Sequence, residues 1–191
     1  MPVLPHPHRP GRYAVMLVCL GNICRSPMAD VVLRAKVAAA GLADRVEIGS
    51  SGTGSWHVGE PMDSRAAATL RAAGYDPSRH RAQHFEPDRR DGFDLVLAMD
   101  AANLADIGGH SERVHLFRDF DPIGTGDEVP DPYYGGGDGF QEVLAMVERT
   151  TDALVDALSE SQHRPGSAAA ESQRQSQRQS QRQSEAEADL S

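Results

Sequence analysis

The chain has 191 residues and a formal net charge of −9, with 28 acidic against 19 basic residues. About 150 residues are enough to bury a sizeable core, so we expect one domain with a tail. The acidic balance argues against nucleic acid as the main partner, because phosphate backbones are bound by basic faces. It leaves room for a small phosphorylated ligand, which needs only one local anion site.

The two ends of the chain differ in composition from its middle. Residues 1–12 hold four prolines and no apolar stretch, so we predict a disordered N-terminal extension rather than a secretory signal. From residue 162 onward there are too few apolar residues to fold, and a Ser-Gln-Arg-Gln unit repeats three times over residues 172–183. We therefore predict one folded domain at residues 13–161 and a disordered tail at 162–191.

The distribution of apolar residues and cysteines bears on where the protein works. No apolar run approaches the roughly 20 residues that a membrane span needs. The chain has two cysteines, whereas secreted scaffolds held by disulfides have more, spread along the chain. We expect a soluble, cytoplasmic monomer with no membrane partner, and secretion by a route without a signal peptide stays open.

Alternating strands and helices are predicted between residues 13 and 158. Tyr13–Val18 is a short continuous apolar run, typical of a buried parallel strand. The predicted strands are 13–18, 45–48, 95–98 and 114–116; the predicted helices are 28–40, 63–73, 101–107 and 140–158. Residues 50–59 are predicted as a loop and 118–139 as irregular. This alternation favours a parallel α/β sheet, whose ligands bind at the carboxyl ends of the strands.

The loop after the first predicted strand has the pattern of a phosphate-binding nucleophile. Its sequence is Cys19-Leu20-Gly21-Asn22-Ile23-Cys24-Arg25-Ser26. A strand-to-helix loop presents backbone N–H groups and the positive end of the helix dipole to an anion. The Arg25 guanidinium can bind two phosphoryl oxygens, and the positive field favours the thiolate of Cys19, which is the attacking species. We predict that Cys19 attacks a bound phosphate ester.

The same chemistry needs a group that protonates the leaving oxygen and later activates water, and one carboxyl can do both. The best candidate is Asp131, which lies between Pro130 and Pro132. The prolines stiffen this loop, and the rings of Tyr133 and Tyr134 follow at once. We predict that Asp131 acts first as acid and then as base, beside a cleft lined by these rings.

Several separated segments resemble those of low-molecular-weight protein tyrosine phosphatases of bacterial type, over about residues 13–160. The matching segments are 19–29 (phosphate loop), 50–59 (second loop), 80–82, 98–100 and 131–134 (acid loop). The resemblance implies a flavodoxin-like three-layer α/β/α fold with a four-stranded parallel sheet. It also implies no metal or other cofactor.

By this resemblance, Cys19 is the nucleophile, Arg25 the phosphate clamp and Asp131 the general acid and base. The reaction would pass through a phosphocysteine on Cys19 and release inorganic phosphate. The implied partners are proteins or peptides that carry phosphotyrosine.

The resemblance also implies supporting roles in the loop. Asn22 would hold the strained loop backbone, with Ser50 and His80 in its hydrogen-bond network, and Ser26 would support the thiolate. The other residues expected to contact substrate are Leu20, Gly21, Ile23, Cys24, Trp56, Tyr133 and Tyr134. In this family a cysteine at the position of Cys24 can form a disulfide with the nucleophile and protect it from over-oxidation. We therefore predict a redox role for Cys24, with simple loop packing as the alternative.

Two further features have ordinary structural interpretations. His80 and His84 are four residues apart, a spacing that binds metal on a helix, but no third ligand is evident in the sequence. Asp100 follows the third predicted strand, and we interpret it as a helix cap or loop organiser.

Three alternative functions compete with a tyrosine phosphatase. A protein-arginine phosphatase of the same fold usually has threonine at the position of Ile23, and the aromatic pair after Asp131 also favours an aryl ester. A thioredoxin-coupled arsenate reductase needs further cysteines, which this chain lacks. A non-catalytic phosphate-binding or redox-sensing module could use Cys19 and Cys24, but a pure binder has no need of Asp131.

Overall fold

Strands and helices alternate along the chain. The computed structural model describes residues 2–124, 126–136 and 138–163. The strands are β1 (Tyr13–Cys19), β2 (Val46–Gly52), β3 (Leu95–Ala98) and β4 (Val114–Leu116). The helices are α1 (Arg25–Ala39), α2 (Ser64–Ala72), α3 (Ala101–Asp106) and α4 (Gly139–His163), with 3₁₀ turns at Pro87–Gly92, Phe117–Phe120 and Pro132–Tyr134. Residues 1–159 form one compact unit, and residues 160–191 form a second unit, of which only the last helical residues are described.

All strand pairs of the four-stranded sheet are parallel, in the order β2-β1-β3-β4. Successive strand residues point to opposite faces, and two hydrophobic clusters accordingly cover the two faces. Leu17 and Leu97 belong to the larger cluster, which includes residues of α1, α2 and α4. Val18 and Ala98 belong to the smaller cluster, against which Leu104 of α3 packs. The predicted three-layer α/β/α fold is confirmed.

The second strand is longer than predicted. β2 runs on through residues expected to be a loop, because it pairs with β1 as far as the Cys19–Gly52 position. Glycine is disfavoured in strands. In β2 the pairing with β1 outweighs this tendency. A Cβ atom at Gly52 would lie 2.7 Å from the carbonyl oxygen of Leu20, so the close approach of β2 to the loop after Cys19 requires glycine.

The first helix begins three residues earlier than predicted. Arg25 is its first residue, and Cys24 occupies the N-cap position without a side-chain capping bond. Pro27, which precedes the predicted helix 28–40, is therefore the third residue of α1. Its missing N–H removes no hydrogen bond there, because the amides of the first turn have no partner within the helix.

The segment before β1 makes contacts that its composition did not predict. The backbone amide of His8 donates to Oδ1 of Asp94 at 2.6 Å, and Arg113 donates to the carbonyl of His6 at 3.0 Å. Leu4 packs against the larger hydrophobic cluster. The buried carboxylate of Asp94 needs such donors, and it also accepts from the amide of Ala14. The predicted boundary at residue 12 stays a prediction, and the repeat tail lies outside the described residues.

None of the helices in the described part of the chain is long and apolar enough to cross a membrane.

Candidate active site

The loop between β1 and α1 lies at the carboxyl edge of the sheet and is tied to the strand beside it. The amide of Thr53 donates to the carbonyl of Cys19 at 2.9 Å, and the amide of Gly54 donates to the carbonyl of Leu20 at 2.8 Å. At the turn of the loop, Asn22 has φ 54°, and among the described residues it alone has positive φ without being glycine. Asparagine tolerates this left-handed conformation better than most residues, and it lets the loop curl around the thiol.

Two donors converge on the sulfur of Cys19. The amide of Asn22 lies 3.3 Å from Sγ, and Oγ of Ser26 lies 3.0 Å from it. The side-chain amide of Asn22 in turn donates to Oγ of Ser26 at 2.8 Å. This last bond uses an acceptor position of the hydroxyl, so its one hydrogen is left for the sulfur, at 3.0 Å, or for the more distant carbonyl of Ser51, at 3.3 Å. Hydrogen bonds of this kind are stronger to a charged acceptor than to a neutral one.

Asn22 is held in place from behind the loop. The amide of Gln83 donates to its Oδ1 at 2.9 Å, and Nε2 of His80 lies 2.8 Å from its backbone carbonyl. A carbonyl can only accept, so Nε2 of His80 carries the proton. Burial lowers the pKa of His80, which keeps the ring neutral at neutral pH. His80 thus buttresses the strained residue of the loop.

Ser50 lies in this region, buried in β2. The contact of β2 with the hydrogen bonds around Cys19 is made by Ser51, whose carbonyl lies 3.3 Å from Oγ of Ser26. The predicted role of Ser50 in the network stays a prediction.

The Arg25 side chain is only 4% exposed and reaches three acceptors from two distant segments. Its Nη1 donates to Oδ2 of Asp100 at 2.5 Å and to the carbonyl of Val129 at 3.1 Å, and its Nη2 lies 3.3 Å from Oδ2 of Asp131. Burial lowers the pKa of Arg25, but the charges of Cys19, Asp131 and Asp100 raise it, and the net direction is upward. The guanidinium is therefore a permanent cation beside the thiol.

Asp131 lies at the start of the Pro132–Tyr134 turn. One carboxylate oxygen accepts from the amide of Tyr133 at 3.1 Å and the other faces Arg25. Its side chain is 35% exposed, so water and a leaving group can reach it. The sequence separates Asp131 from Arg25 by 106 positions, and the fold brings the two side chains into contact.

Aromatic and apolar side chains form the walls of the cleft above Cys19. The predicted site residues that line it are Cys19, Leu20, Gly21, Ile23, Cys24, Arg25, Trp56, Asp131, Tyr133 and Tyr134. Trp56 is 64% exposed and Tyr134 is 89% exposed, more than a core role allows. The rings of Tyr133 and Tyr134 meet edge to face, with centroids 5.0 Å apart. These walls suit a flat aromatic group.

Cys24 is buried beside the same cleft, and both cysteines are free thiols. Burial raises the pKa of the Cys24 thiol to about 12, and the nearby charges of Asp63 and Cys19 add to this. Cys24 is therefore protonated at neutral pH, and thiolate is the nucleophilic form of cysteine. It is a poor competitor for the role of Cys19.

The structure adds one contact and one residue that the sequence did not indicate. Asp100 caps α3, as predicted, by accepting from the amide of Asn103 at 2.7 Å, but its other oxygen holds Arg25. Its place at the carboxyl end of a parallel strand was the available signal for this second contact. His57 also lines the cleft, and its Nδ1 lies 2.6 Å from Oε2 of Glu60. His57 lies within the matching segment 50–59, but its residue type alone indicated no role there.

Comparison with known proteins identifies the family of the chain. The family model for "Low molecular weight phosphotyrosine protein phosphatase" matches residues 14–164. The chain is 47% identical over 156 residues to "Low molecular weight protein-tyrosine-phosphatase" of Streptomyces coelicolor, covering 78% of this chain and 94% of that protein. It is 43% identical over 157 residues to "Low molecular weight protein-tyrosine phosphatase A" of Mycobacterium tuberculosis strain H37Rv, covering 80% and 95%.

The fold is also similar to solved structures. The crystal structure of YfkJ from Bacillus subtilis superposes with a TM-score of 0.73 at 31% identity, covering 80% of this chain and 98% of that one. The family model spans most of the described chain, including the phosphate loop and the acid loop. The chain therefore belongs to the low-molecular-weight protein tyrosine phosphatase family and is a phosphatase.

Proposed function

We propose that the protein hydrolyses phosphotyrosine in proteins or peptides through a phosphocysteine intermediate on Cys19. The observation that carries this proposal is the convergence of three groups on one cleft. A thiol with two hydrogen-bond donors, a buried guanidinium and a half-exposed carboxylate meet there, within an aromatic wall. Each group matches one requirement of phosphoryl transfer by a cysteine.

In the first step the thiolate of Cys19 attacks phosphorus, and the bond from phosphorus to the phenolic oxygen breaks. Asp131 gives its proton to that oxygen, so phenol leaves and Asp131 becomes a carboxylate. In the second step Asp131 takes a proton from water, which attacks phosphorus as the S–P bond breaks. Phosphate is released and the thiolate returns. The hydroxyl of Ser26, 3.0 Å from Sγ, stabilises the sulfur each time it carries charge.

The anchoring of Arg25 leaves its phosphate-binding edge available. Both hydrogens of Nη1 are used, one on Asp100 and one on the carbonyl of Val129. A guanidinium binds phosphate in bidentate fashion through two parallel N–H groups. The edge formed by Nε and Nη2 supplies such a pair. The contact of Nη2 with Asp131, at 3.3 Å, is longer than the two hydrogen bonds that Nη1 donates to Asp100 and Val129. We propose that this edge binds two oxygens of the phosphoryl group.

Aryl specificity rests on the walls of the cleft. The rings of Trp56, Tyr133 and Tyr134 and the side chain of Ile23 all line it. A phenyl ring between such walls gains apolar burial and aromatic contacts, whereas Asp131 is the one carboxylate among the described lining residues that could accept from a phosphoarginine guanidinium. We therefore expect turnover of phosphotyrosine peptides to exceed that of matched phosphoarginine peptides.

The test compares wild type with Cys19→Ser and Asp131→Ala on a phosphotyrosine peptide and on p-nitrophenyl phosphate. We expect no turnover by Cys19→Ser. We expect Asp131→Ala to lower kcat on the peptide by about 10²–10⁴-fold, the usual worth of general acid catalysis. The loss should be smaller on p-nitrophenyl phosphate, whose leaving group needs less protonation. Asp127→Ala, in the same segment and 66% exposed, is the control and should retain wild-type kcat.

A phosphocysteine trapped by rapid acid quench and located on Cys19 by mass spectrometry would support the intermediate directly. Full turnover by Cys19→Ser, or an equal loss for Asp131→Ala on both substrates, would contradict the mechanism. Turnover of the phosphoarginine peptide above that of the phosphotyrosine peptide would contradict the substrate.

A further inference from the structure

A cluster of three metal-ligating side chains lies at the β4 edge of the sheet, outside the active-site cleft. His110 precedes β4, His115 lies within it, and Asp119 belongs to the Phe117–Phe120 turn that follows. None of the three lines the cleft that contains Cys19. Among the described residues, no other group of three histidine, cysteine or carboxylate ligands lies so close together.

The distances within the cluster match those between the ligands of one metal ion. Nε2 of His110 lies 3.1 Å from Nδ1 of His115, and each of these nitrogens lies 3.7 Å from Oδ2 of Asp119. Zinc binds nitrogen and oxygen at about 2.0–2.2 Å, which places the ligand atoms of a tetrahedron roughly 3.3–3.5 Å apart. Shifts of a few tenths of an ångström would bring the three atoms to equal distances from a central ion.

The surroundings orient two of the ligands. The other ring nitrogen of His115 lies 3.0 Å from the carbonyl of Glu112. It must therefore carry the proton, which leaves a lone pair on Nδ1, facing the cluster. The ring of Phe120 packs edge to face against His115, with centroids 6.2 Å apart. Oδ2 of Asp119 accepts from the amide of Leu116 at 3.1 Å. Outer contacts of this kind hold metal ligands in place.

The exposure of the three side chains also fits a metal site that is open to solvent on one side. The side chains of His115 and Asp119 are 9% and 15% exposed, whereas that of His110 is 58% exposed. An ion can approach past His110, and a water molecule can complete the tetrahedron on the open side. Two imidazoles and one carboxylate suit Zn²⁺ better than Mg²⁺ or Ca²⁺, which prefer oxygen ligands alone.

We propose that His110 Nε2, His115 Nδ1 and Asp119 Oδ2 bind a zinc-class divalent ion that ties the segment before β4 to the turn after it. On binding, the proton that Nε2 of His110 shares with His115 moves to Nδ1 of His110, so both facing nitrogens donate lone pairs to the ion. The site is independent of the phosphatase chemistry. Its expected effect is to stabilise the β4 edge and the turn that leads toward the acid loop.

The test uses the full chain carrying Cys19→Ser and Cys24→Ser, so that no thiol competes for the ion. Isothermal titration with Zn²⁺ is expected to show one ion per chain, and Zn²⁺ is expected to raise Tm. Co²⁺ is expected to give the visible absorption bands of a tetrahedral site. Adding His110→Gln, at the exposed ligand, should weaken the affinity by at least about tenfold and abolish the Tm shift. The matched control is His84→Gln, at another exposed histidine, and it should bind like its parent.

Asp119→Asn provides a second variant, since the amide oxygen can still accept from Leu116 while the charge is lost. It should also weaken Zn²⁺ binding, with a circular dichroism spectrum like that of the parent. Failure of the parent to bind one Zn²⁺, or undiminished binding by His110→Gln, would overturn the proposal. The cluster would then be a hydrogen-bonded histidine pair beside a carboxylate.

Discussion

At the scale of single residues, Asp100 connects the helix that it caps with Arg25, the proposed phosphate-binding residue. One oxygen accepts from the amide of Asn103, and the other lies 2.5 Å from Nη1 of Arg25. The Arg25 side chain is almost fully buried. If the hydrogen bond to Asp100 were lost, the guanidinium could rotate away from its position, and no water would replace the lost acceptor. Asp100 acts through Arg25 and is therefore a positioning residue.

The first prediction is that Asp100→Asn lowers kcat/KM by about 10–100-fold, because a small misplacement of a positioned group costs this much. Asparagine keeps the oxygen that caps α3 but removes a charged partner of the buried Arg25, so we expect a lowered Tm with a far-UV circular dichroism spectrum like that of wild type. Asp106→Asn, an exposed carboxylate of the same helix, is the control. The measurement is steady-state kinetics on an aryl phosphate, together with the Kd of inorganic phosphate. Equal kinetics for the two variants would contradict the role of Asp100.

His80 provides a prediction about pH. Burial lowers its pKa in the fold, whereas in the unfolded chain the value is about 6.5. As the pH falls below about 6.5, the unfolded chain therefore binds more protons than the folded one, and the free energy of unfolding decreases. The stability that His80 contributes is fully present above this pH and is lost as the pH falls through the lowered value.

We expect His80→Gln, which keeps an N–H donor but does not titrate, to lose less stability than wild type between about pH 7 and about pH 5. Urea unfolding at each pH measures this difference. His84→Gln removes an exposed histidine and should keep the wild-type pH dependence. The same pH dependence in all three proteins would show that His80 titrates alike in the folded and unfolded chains.

The redox role of Cys24 remains a prediction. In the predicted reaction, peroxide oxidises the Cys19 thiolate to a sulfenic acid, which condenses with the thiol of Cys24 to give a disulfide and water. The pKa of Cys24, raised to about 12, makes this condensation slower than for an ordinary thiol. We expect wild type treated with peroxide to regain most of its activity after a thiol reductant is added, and Cys24→Ser to regain much less. Equal recovery by both proteins would leave Cys24 as a packing residue.

At the scale of elements, the segment between β4 and the acid loop is fastened to α4 through one carboxylate. Asp121 is fully buried and accepts two bonds from Arg149 of α4, each 2.7 Å long, and one from Arg118 at 3.0 Å. Arg149 and Arg118 hold the pKa of Asp121 well below its usual range. Arg118 also donates to the carbonyl of Glu128, three residues before Asp131. The acid loop is thus fastened indirectly to the longest helix.

We predict that Asp121→Asn lowers the free energy of unfolding by about 3–5 kcal/mol, since breaking a buried ion pair leaves charges without a partner. Chemical denaturation measures this value. The control is Asp156→Asn on an exposed position of α4, which should stay within about 0.5 kcal/mol of wild type. A loss for Asp121→Asn no larger than that of the control would show that the segment is held by other contacts.

At the scale of the whole molecule, the two ends of the parallel sheet serve different purposes. The active-site loops lie at the carboxyl ends of the strands, and the segment before β1 binds at their amino ends, where Asp94 precedes β3. Parallel strands place all their carboxyl ends at one edge. Changes at the amino ends should therefore affect stability and leave catalysis intact.

Deleting residues 2–11 is expected to lower the free energy of unfolding by about 1–3 kcal/mol, the worth of the hydrogen bonds lost at Asp94. We expect kcat to stay at the wild-type value. Deleting residues 165–191, predicted from composition to be disordered, should change neither quantity. Thermal unfolding and steady-state kinetics of the three chains test this. A loss of kcat in the first deletion would show that the two ends of the sheet are coupled.

Much of the fold was predictable because its signals are local. The apolar runs at 95–98 and 114–116 predicted β3 and β4 with their observed bounds, and the predicted helix 63–73 matches α2 together with its two cap residues. The predicted bounds were wrong where strand pairing outweighed local preference. The glycines and serines of β2 favour a loop, but they form a strand because they pair with β1.

The sequence by itself determined the part of the site whose residues are adjacent along the chain. A thiol, a curling backbone and an arginine within one strand-to-helix loop identify the phosphate loop, since sterics and local donors dictate its shape. Only the tertiary structure decided which distant groups meet there. Asp100 and Asp131 lie 75 and 106 positions from Arg25 and still touch its guanidinium. Such contacts depend on the register and order of the strands, and no local preference encodes them.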